Sequence, residues 1–369
     1  MKAPAFHGLT IVLAVAFLAG CSFPQVSGPA VPAAAPARNL GPANGARTGS
    51  SGQHVYSGAC CQLLKEGGVV VYQPGLAGVA RRFTRGAHYP FFLTFDRSGR
   101  LYVVSLYGRV SEFDAGQKLP SRIITGVTAV GVATDASNNA YVDSCLSCVP
   151  TRNRPRRKKY DWIELYKAGT TKPLMHITQG VSTPRAIALD SKGNLYVANQ
   201  TEHASVTIYA PGSNKVMRTI TRGVHYPIAL AFDAADDLYV VNLAGGDVVE
   251  YAPGSGQPMR VLNRGVVSPE AIAVDSSGTL YVANAGPASS RGWISVIPPG
   301  ATKPAYKITD GLSDPVAVAV DSGGNLYVAS NDYGRSGGEI SEYAPNSKHP
   351  LQTVARGGYG DPVSLALGP

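Results

Sequence analysis

The stretch Ala271-Ile272-Ala273-Val274-Asp275-Ser276-Ser277-Gly278-Thr279-Leu280-Tyr281-Val282-Ala283-Asn284 decides how the chain is read. Its first four residues alternate small and large, the period-two pattern of a strand. A short polar turn containing glycine follows, and then a second β-rich run, so the segment spells a hairpin. The phrase recurs as Leu101-Tyr102-Val103, Ala140-Tyr141-Val142, Leu195-Tyr196-Val197, Leu238-Tyr239-Val240 and Leu326-Tyr327-Val328. Five residues before each copy stands an aspartate: Asp96, Asp135, Asp190, Asp233, Asp275 and Asp321.

The hairpins are followed by a third run, ending in Tyr-Ala-Pro at Tyr209, Tyr251 and Tyr343, and by a fourth such as Arg218-Thr219-Ile220-Thr221. Four strands per repeat make the blade of a β-propeller, and alanine on one face suits the crowded innermost strand. The chain stops at Pro362-Val363-Ser364-Leu365-Ala366-Leu367, an inner strand with no blade after it. It begins its repeats at His54-Val55-Tyr56 and Val69-Val70-Val71-Tyr72, outer strands with no inner strand before them. Each end supplies what the other lacks. From His54 to Leu326 the chain advances 272 residues in six steps, about 45 each. The expectation is an all-β fold, a β-propeller of seven four-stranded blades over residues 54–369, closed by pairing of the N- and C-terminal strands, which leaves few exposed sheet edges.

Phrases such as Ala273-Val274-Asp275-Ser276-Ser277-Gly278-Thr279-Leu280-Tyr281-Val282-Ala283-Asn284 resemble NHL repeats, and the Tyr-Val-Ala-Asn ending is similar to YVTN-type surface propellers. The resemblance covers about residues 54 to 369 and implies architecture more than activity, because such propellers include binding platforms and enzymes. Many NHL propellers have six blades, so seven is a departure.

The N-terminus has another character. Lys2, an apolar run from Leu9 to Leu18 and then Leu18-Ala19-Gly20-Cys21 have the layout of an export signal over residues 1–20. The Leu-Ala-Gly-Cys ending resembles the lipobox of bacterial lipoproteins. It implies cleavage before Cys21, lipidation of that cysteine and attachment to a membrane through more than one acyl chain. Ser22, where an Asp would retain a lipoprotein in the inner membrane, favours an outer-membrane address in a Gram-negative cell, facing periplasm or surface. No other apolar run approaches the roughly 18 to 20 residues of a spanning helix. Residues 21–53 read as the lipidated cysteine and a disordered tether, with proline at 24, 29, 32, 36 and 42. As a flexible coil such a tether reaches on the order of 30 Å.

The loops from the fourth strand of one blade to the first of the next, and from second to third strands, open on one face, termed the top. Its channel-mouth loops run 86–90, 180–184, 223–227, 265–269, 311–315 and 358–362, and the residues that break the repeat in or beside them are His88, Arg185, His225, Glu270, Asp314 and Asp361. His225 and Glu270 belong to adjacent blades, as do Asp361 and His88 across the closure. A histidine beside a carboxylate can bind metal or move protons. Similarity to streptogramin lyases and gluconolactonases, propeller enzymes with sites near such a mouth, keeps catalysis with a divalent metal as the alternative, although no convincing set of their catalytic residues is present. The competing reading makes these residues solvated loop positions. Asn199, Asn242 and Asn284, which close their strands on the same face, read as turn formers.

Cys60, Cys61, Cys145 and Cys148 all lie in second-to-third loops. Export to an oxidising compartment favours disulfides, with three pairings open, and a four-thiolate zinc site is the alternative. Val149 stands where haem attachment needs His. The loop continues into Arg152, Arg154, Arg156, Arg157, Lys158 and Lys159, which carry six of the charges behind the formal net charge of +9. They read either as a solvated insertion or as a contact for anionic lipid, envelope polysaccharide or an acidic envelope protein. Nucleic acid is not expected, since no aromatic stacking pattern accompanies the run. The recurrent Asp-x-x-Gly turns of the opposite face suit a structural role better than calcium sites. The expectation is therefore a monomeric, envelope-anchored binding or scaffold propeller needing no cofactor.

Overall fold

Each repeat folds into one four-stranded antiparallel sheet, and seven such sheets form the ring. The structure, a computed structural model, describes residues 52–60, 67–105, 108–146, 148, 160–286, 291–331, 338–354 and 361–369. The expected signal segment, Cys21, the expected tether as far as residue 51, Cys61, the Cys60 side chain and the basic run 152–159 lie outside the described residues. Blade 1 combines three strands of residues 54–83 with the last strand, Asp361–Gly368. Blades 2 to 7 follow in order over 90–124, 132–177, 184–220, 227–262, 269–308 and 314–354. The closure is the one expected. Strand His54–Cys60 pairs antiparallel with Asp361–Gly368, Val55 facing Leu367 and Tyr56 facing Ala366.

The small-large alternation has its reason in how blades stack. Ala186 and Ala188 of blade 4 share a buried cluster with Leu230 and Phe232 of blade 5, and Ala271 and Ala273 of blade 6 share one with Val318 of blade 7. The small face of one inner strand thus receives the large face of the next. Radial crowding is greatest at the innermost strands, and close packing there leaves no room for two large faces.

The repeated aspartates are spent on the opposite face. Oδ1 of Asp190 accepts the N–H groups of Lys192 and Asn194, and its Oδ2 accepts from Asn194 Nδ2 and Tyr196 OH. Asp233, Asp275 and Asp321 repeat the bonds from residues two and four ahead and from their own Tyr. These carboxylates are occupied by the turn, which gives the motif its structural role. The outer strands carry a second repeated device. Glu112, Glu164 and Glu250 pair across the sheet with Arg122, His176 and Arg260.

Candidate functional site at the channel mouth

The inner strands enter the channel through a recurring distortion. Register shifts between Pro90 and Phe92, Pro184 and Ala186, Pro227 and Ala229, Pro269 and Ala271, and Pro315 and Ala317 leave one extra residue in each inner strand. The closure blade does the same opposite Gly58 and Ala59, where Val363 is the extra residue. Such bulges re-aim a side chain at a strand end. The residue before the proline is left-handed in four blades: Tyr89 at φ 46°, Thr183 at 48°, Tyr226 at 60° and Ser268 at 47°. Bulky and β-branched residues resist that conformation, and the following proline disfavours compact backbone at that position, so each entry stores strain of roughly 1 to 3 kcal/mol.

Blade 3 departs from the pattern. Its entry loop is one residue shorter and lacks the proline, and its inner strand begins only at Val132. Asp143, standing where blades 4, 6 and 7 have Ala198, Ala283 and Ala329, repairs the gap: its Oδ1 accepts the N–H groups of Val130 at 2.8 Å and Gly131 at 2.5 Å. Val130 is then the seventh equivalent of the bulge residues. Across the ring these positions hold Phe91, Val130, Arg185, Ile228, Glu270, Val316 and Val363. Five are buried apolar residues, and Phe91, Val130 and Val363 share one cluster. Two are charged.

Arg185 is 7% exposed, and burial drives its guanidinium down to about 10, against the pull of Tyr226 and Asp143. Its NH1 donates towards Cys148 Sγ at 3.9 Å. Asp143 is fully buried, which pushes its carboxyl up to about 7 against the two backbone N–H bonds and Arg185. Among the described residues, Arg185 Nε and Asp143 Oδ2 each lack a hydrogen-bond partner. Glu270 is partly buried and is pushed up to about 7, first by desolvation and then by Asp314. Asp161, buried at the foot of the next strand of blade 3, takes the N–H of strained Thr183 on its Oδ2 at 2.6 Å.

The expected residues differ in burial and in surroundings. The charge of Asp314 in blade 7 adds to desolvation in raising the Glu270 carboxyl of blade 6. His225 is exposed, and its backbone N–H donates to Asn242 Oδ1. His88 is partly buried beside strained Tyr89, and Asp361 is buried at the head of the closing strand. Among the described residues, no group of three or more His, Cys, Asp or Glu stands close enough to hold a metal ion. Cys145 and Cys148 stand within disulfide distance, their Cα atoms 5.2 Å apart. Asp143 and Asp161 were not singled out by the sequence reading. The signal for Asp143 was present, because Tyr141-Val142-Asp143-Ser144 interrupts the Tyr-Val-Ala-Asn phrase.

The strand-closing asparagines do more than form turns. Asn242 Nδ2 donates to Gly223 O and Asp247 Oδ1, while its Oδ1 accepts from His225 N. Asn199 and Asn284 accept in the same way from Ser182 and Val267. All three are buried clamps that tie the entry loop to the second strand.

The fold and its mouth define the class: a seven-bladed β-propeller. Among solved structures, the chain is similar to the WD40 β-propeller domain of Doa1, with a TM-score of 0.59 and 12% identity, covering 80% of this chain and 91% of that one. That likeness is one of fold. No family model matches the chain, and no curated protein does.

Proposed function

We propose that the chain is a cell-envelope lipoprotein of NHL or YVTN kind whose propeller acts as a binding or scaffold module, with the top face as its contact surface. One observation carries the reading. Five of seven equivalent bulge positions are apolar, so the fold does not require Arg185 or Glu270 there. Burying a charge is unfavourable unless something pairs with it, so two charges retained at an otherwise apolar collar point to a partner group that meets them. The strained entries and the lipidated, tethered N-terminus read from the sequence agree with a rigid face presented away from a bilayer. The basic residues 152–159, read from the sequence as part of a top-face loop, would add a contact for an anionic partner, whether protein, polysaccharide or lipid headgroup.

Crosslinking of the full chain in its native envelope, followed by identification of the captured partner, tests this. The double variant Arg185→Leu with Glu270→Leu is expected to fold and to lose at least tenfold of the capture. Capture unchanged by that variant and by neutralising residues 152–159 would end the proposal for this face.

A further inference from the structure

We propose that Cys145 and Cys148 form a reversible thiol–disulfide couple that oxidises dithiols of a protein or peptide partner, with Cys148 as the exchanging sulfur and Arg185 as the group that holds its thiolate. This activity is separate from the binding role above. Three observations lead to it.

The pair does not serve as a staple. Both cysteines belong to one loop, with two residues between them, and Cys148 N donates to Cys145 O as in a simple turn. Cross-linking so short a loop constrains the unfolded chain least, because the entropy removed grows with loop length. The loop is also tied down without the bond: Cys145 N–H donates to Thr128 O at 3.1 Å, and Cys145 packs in the apolar cluster of blades 2 and 3.

The two sulfurs are unlike. Cys145 is completely buried, whereas Cys148 is partly exposed, so an incoming thiolate has access to Cys148. Finally, the Arg185 guanidinium, itself buried, lies 3.9 Å from Cys148 Sγ. A cation beside a thiol stabilises the thiolate and lowers its pKa. Tyr226 and Asp143 act on the same guanidinium. Stabilising the reduced form makes a disulfide a stronger oxidant.

The exchange runs in two steps. A partner thiolate attacks Cys148 Sγ, the bond to Cys145 breaks, and the Cys145 sulfur leaves and takes a proton from water. The second partner thiolate attacks the partner's own sulfur in the mixed disulfide, and Cys148 leaves as the thiolate held by Arg185. Two electrons pass from the partner dithiol to the cysteine pair, and the partner gains one disulfide.

The full chain would be equilibrated in stepped ratios of reduced to oxidised glutathione, quenched in acid, alkylated and mapped by peptide mass spectrometry, which separates this pair from Cys60 and Cys61. The expected result is a Cys145–Cys148 bond that is reduced in the folded protein at ratios that leave structural disulfides intact. In the reduced protein, iodoacetamide modifies Cys148 with a midpoint below the ordinary value of about 8.5, and Cys145 at least tenfold more slowly. Arg185→Gln is expected to shift the equilibrium about tenfold towards the disulfide, about 30 mV, and to raise that midpoint, with Arg185→Lys between. A pair that stays oxidised in reduced glutathione, a wild-type Cys148 midpoint at or above 8.5, or mapping that joins either cysteine to Cys60 or Cys61 would overturn the proposal. Those three readouts need no variant to fold.

Discussion

Replacing Glu270 by glutamine removes an ionisable group from the mouth while keeping its shape. The carboxyl of Glu270 is raised from 4.5 to about 7 by desolvation and by Asp314. For an acid raised on folding, the native state holds its proton where the unfolded state has lost it. Stability therefore falls as pH rises from about 4.5 to about 7 and is level on either side. A shift of this size corresponds to about 3 kcal/mol at full value, and partial exposure with solvent screening brings the expected effect to about 1–2 kcal/mol. Glutamine has no such ionisation. Urea unfolding of both proteins at pH 4, 5, 6, 7 and 8 should give curves that coincide at pH 4 and separate to a plateau above pH 7, with Glu270→Gln the more stable. Asp143, also raised to about 7, gives the wild type a slope of the same sign, but it is present in both proteins and cancels in the difference. A stability difference independent of pH, or a less stable variant at pH 8, would refute the claim that Glu270 carries an unfavourable charge at the collar.

Further perturbations separate the framework from the site. Asn242→Ala leaves His225 N–H and Gly223 C=O without their partner and should cost about 2–4 kcal/mol in urea unfolding, whereas exposed His225→Ala should stay within about 0.5 kcal/mol of wild type. Gly292→Ala places a Cβ against Pro315 Cδ of the next blade and Asn284 O, neither of which can swing away, and a loss of about 1–3 kcal/mol is expected from the same assay. Ser268→Gly removes a left-handed serine ahead of a bulge and should raise stability by about 0.5–1 kcal/mol, with unchanged circular dichroism.

The architecture was open to reading because it repeats. Alternation, the Asp turn and the Leu-Tyr-Val strand each reflect local physics, and six copies make them unmistakable. The terminal fragments declared their own closure, and Val55 does face Leu367. The site was legible only where a charge broke the pattern, as Arg185, Glu270 and Asp314 do. For His225 and Glu270 the sequence is less informative, because spacing along the chain says which loops adjoin but not which way a side chain turns. His225 lies exposed, while desolvation and then the charge of Asp314 raise the Glu270 carboxyl.

By itself the sequence determined the blade, the number of blades and the order in which they close, since each follows from periodic burial and turn chemistry within about 45 residues of chain. That residues 1–53 stand outside the propeller is an expectation from the sequence. Only the tertiary structure decided that seven inner-strand entries form one collar, that Asp143 replaces the missing residue of blade 3, and that Arg185 of blade 4 lies against Cys148 of blade 3. The physical reason is that bulges, buried charges and contacts between blades depend on radial packing around a common channel, which no single repeat contains.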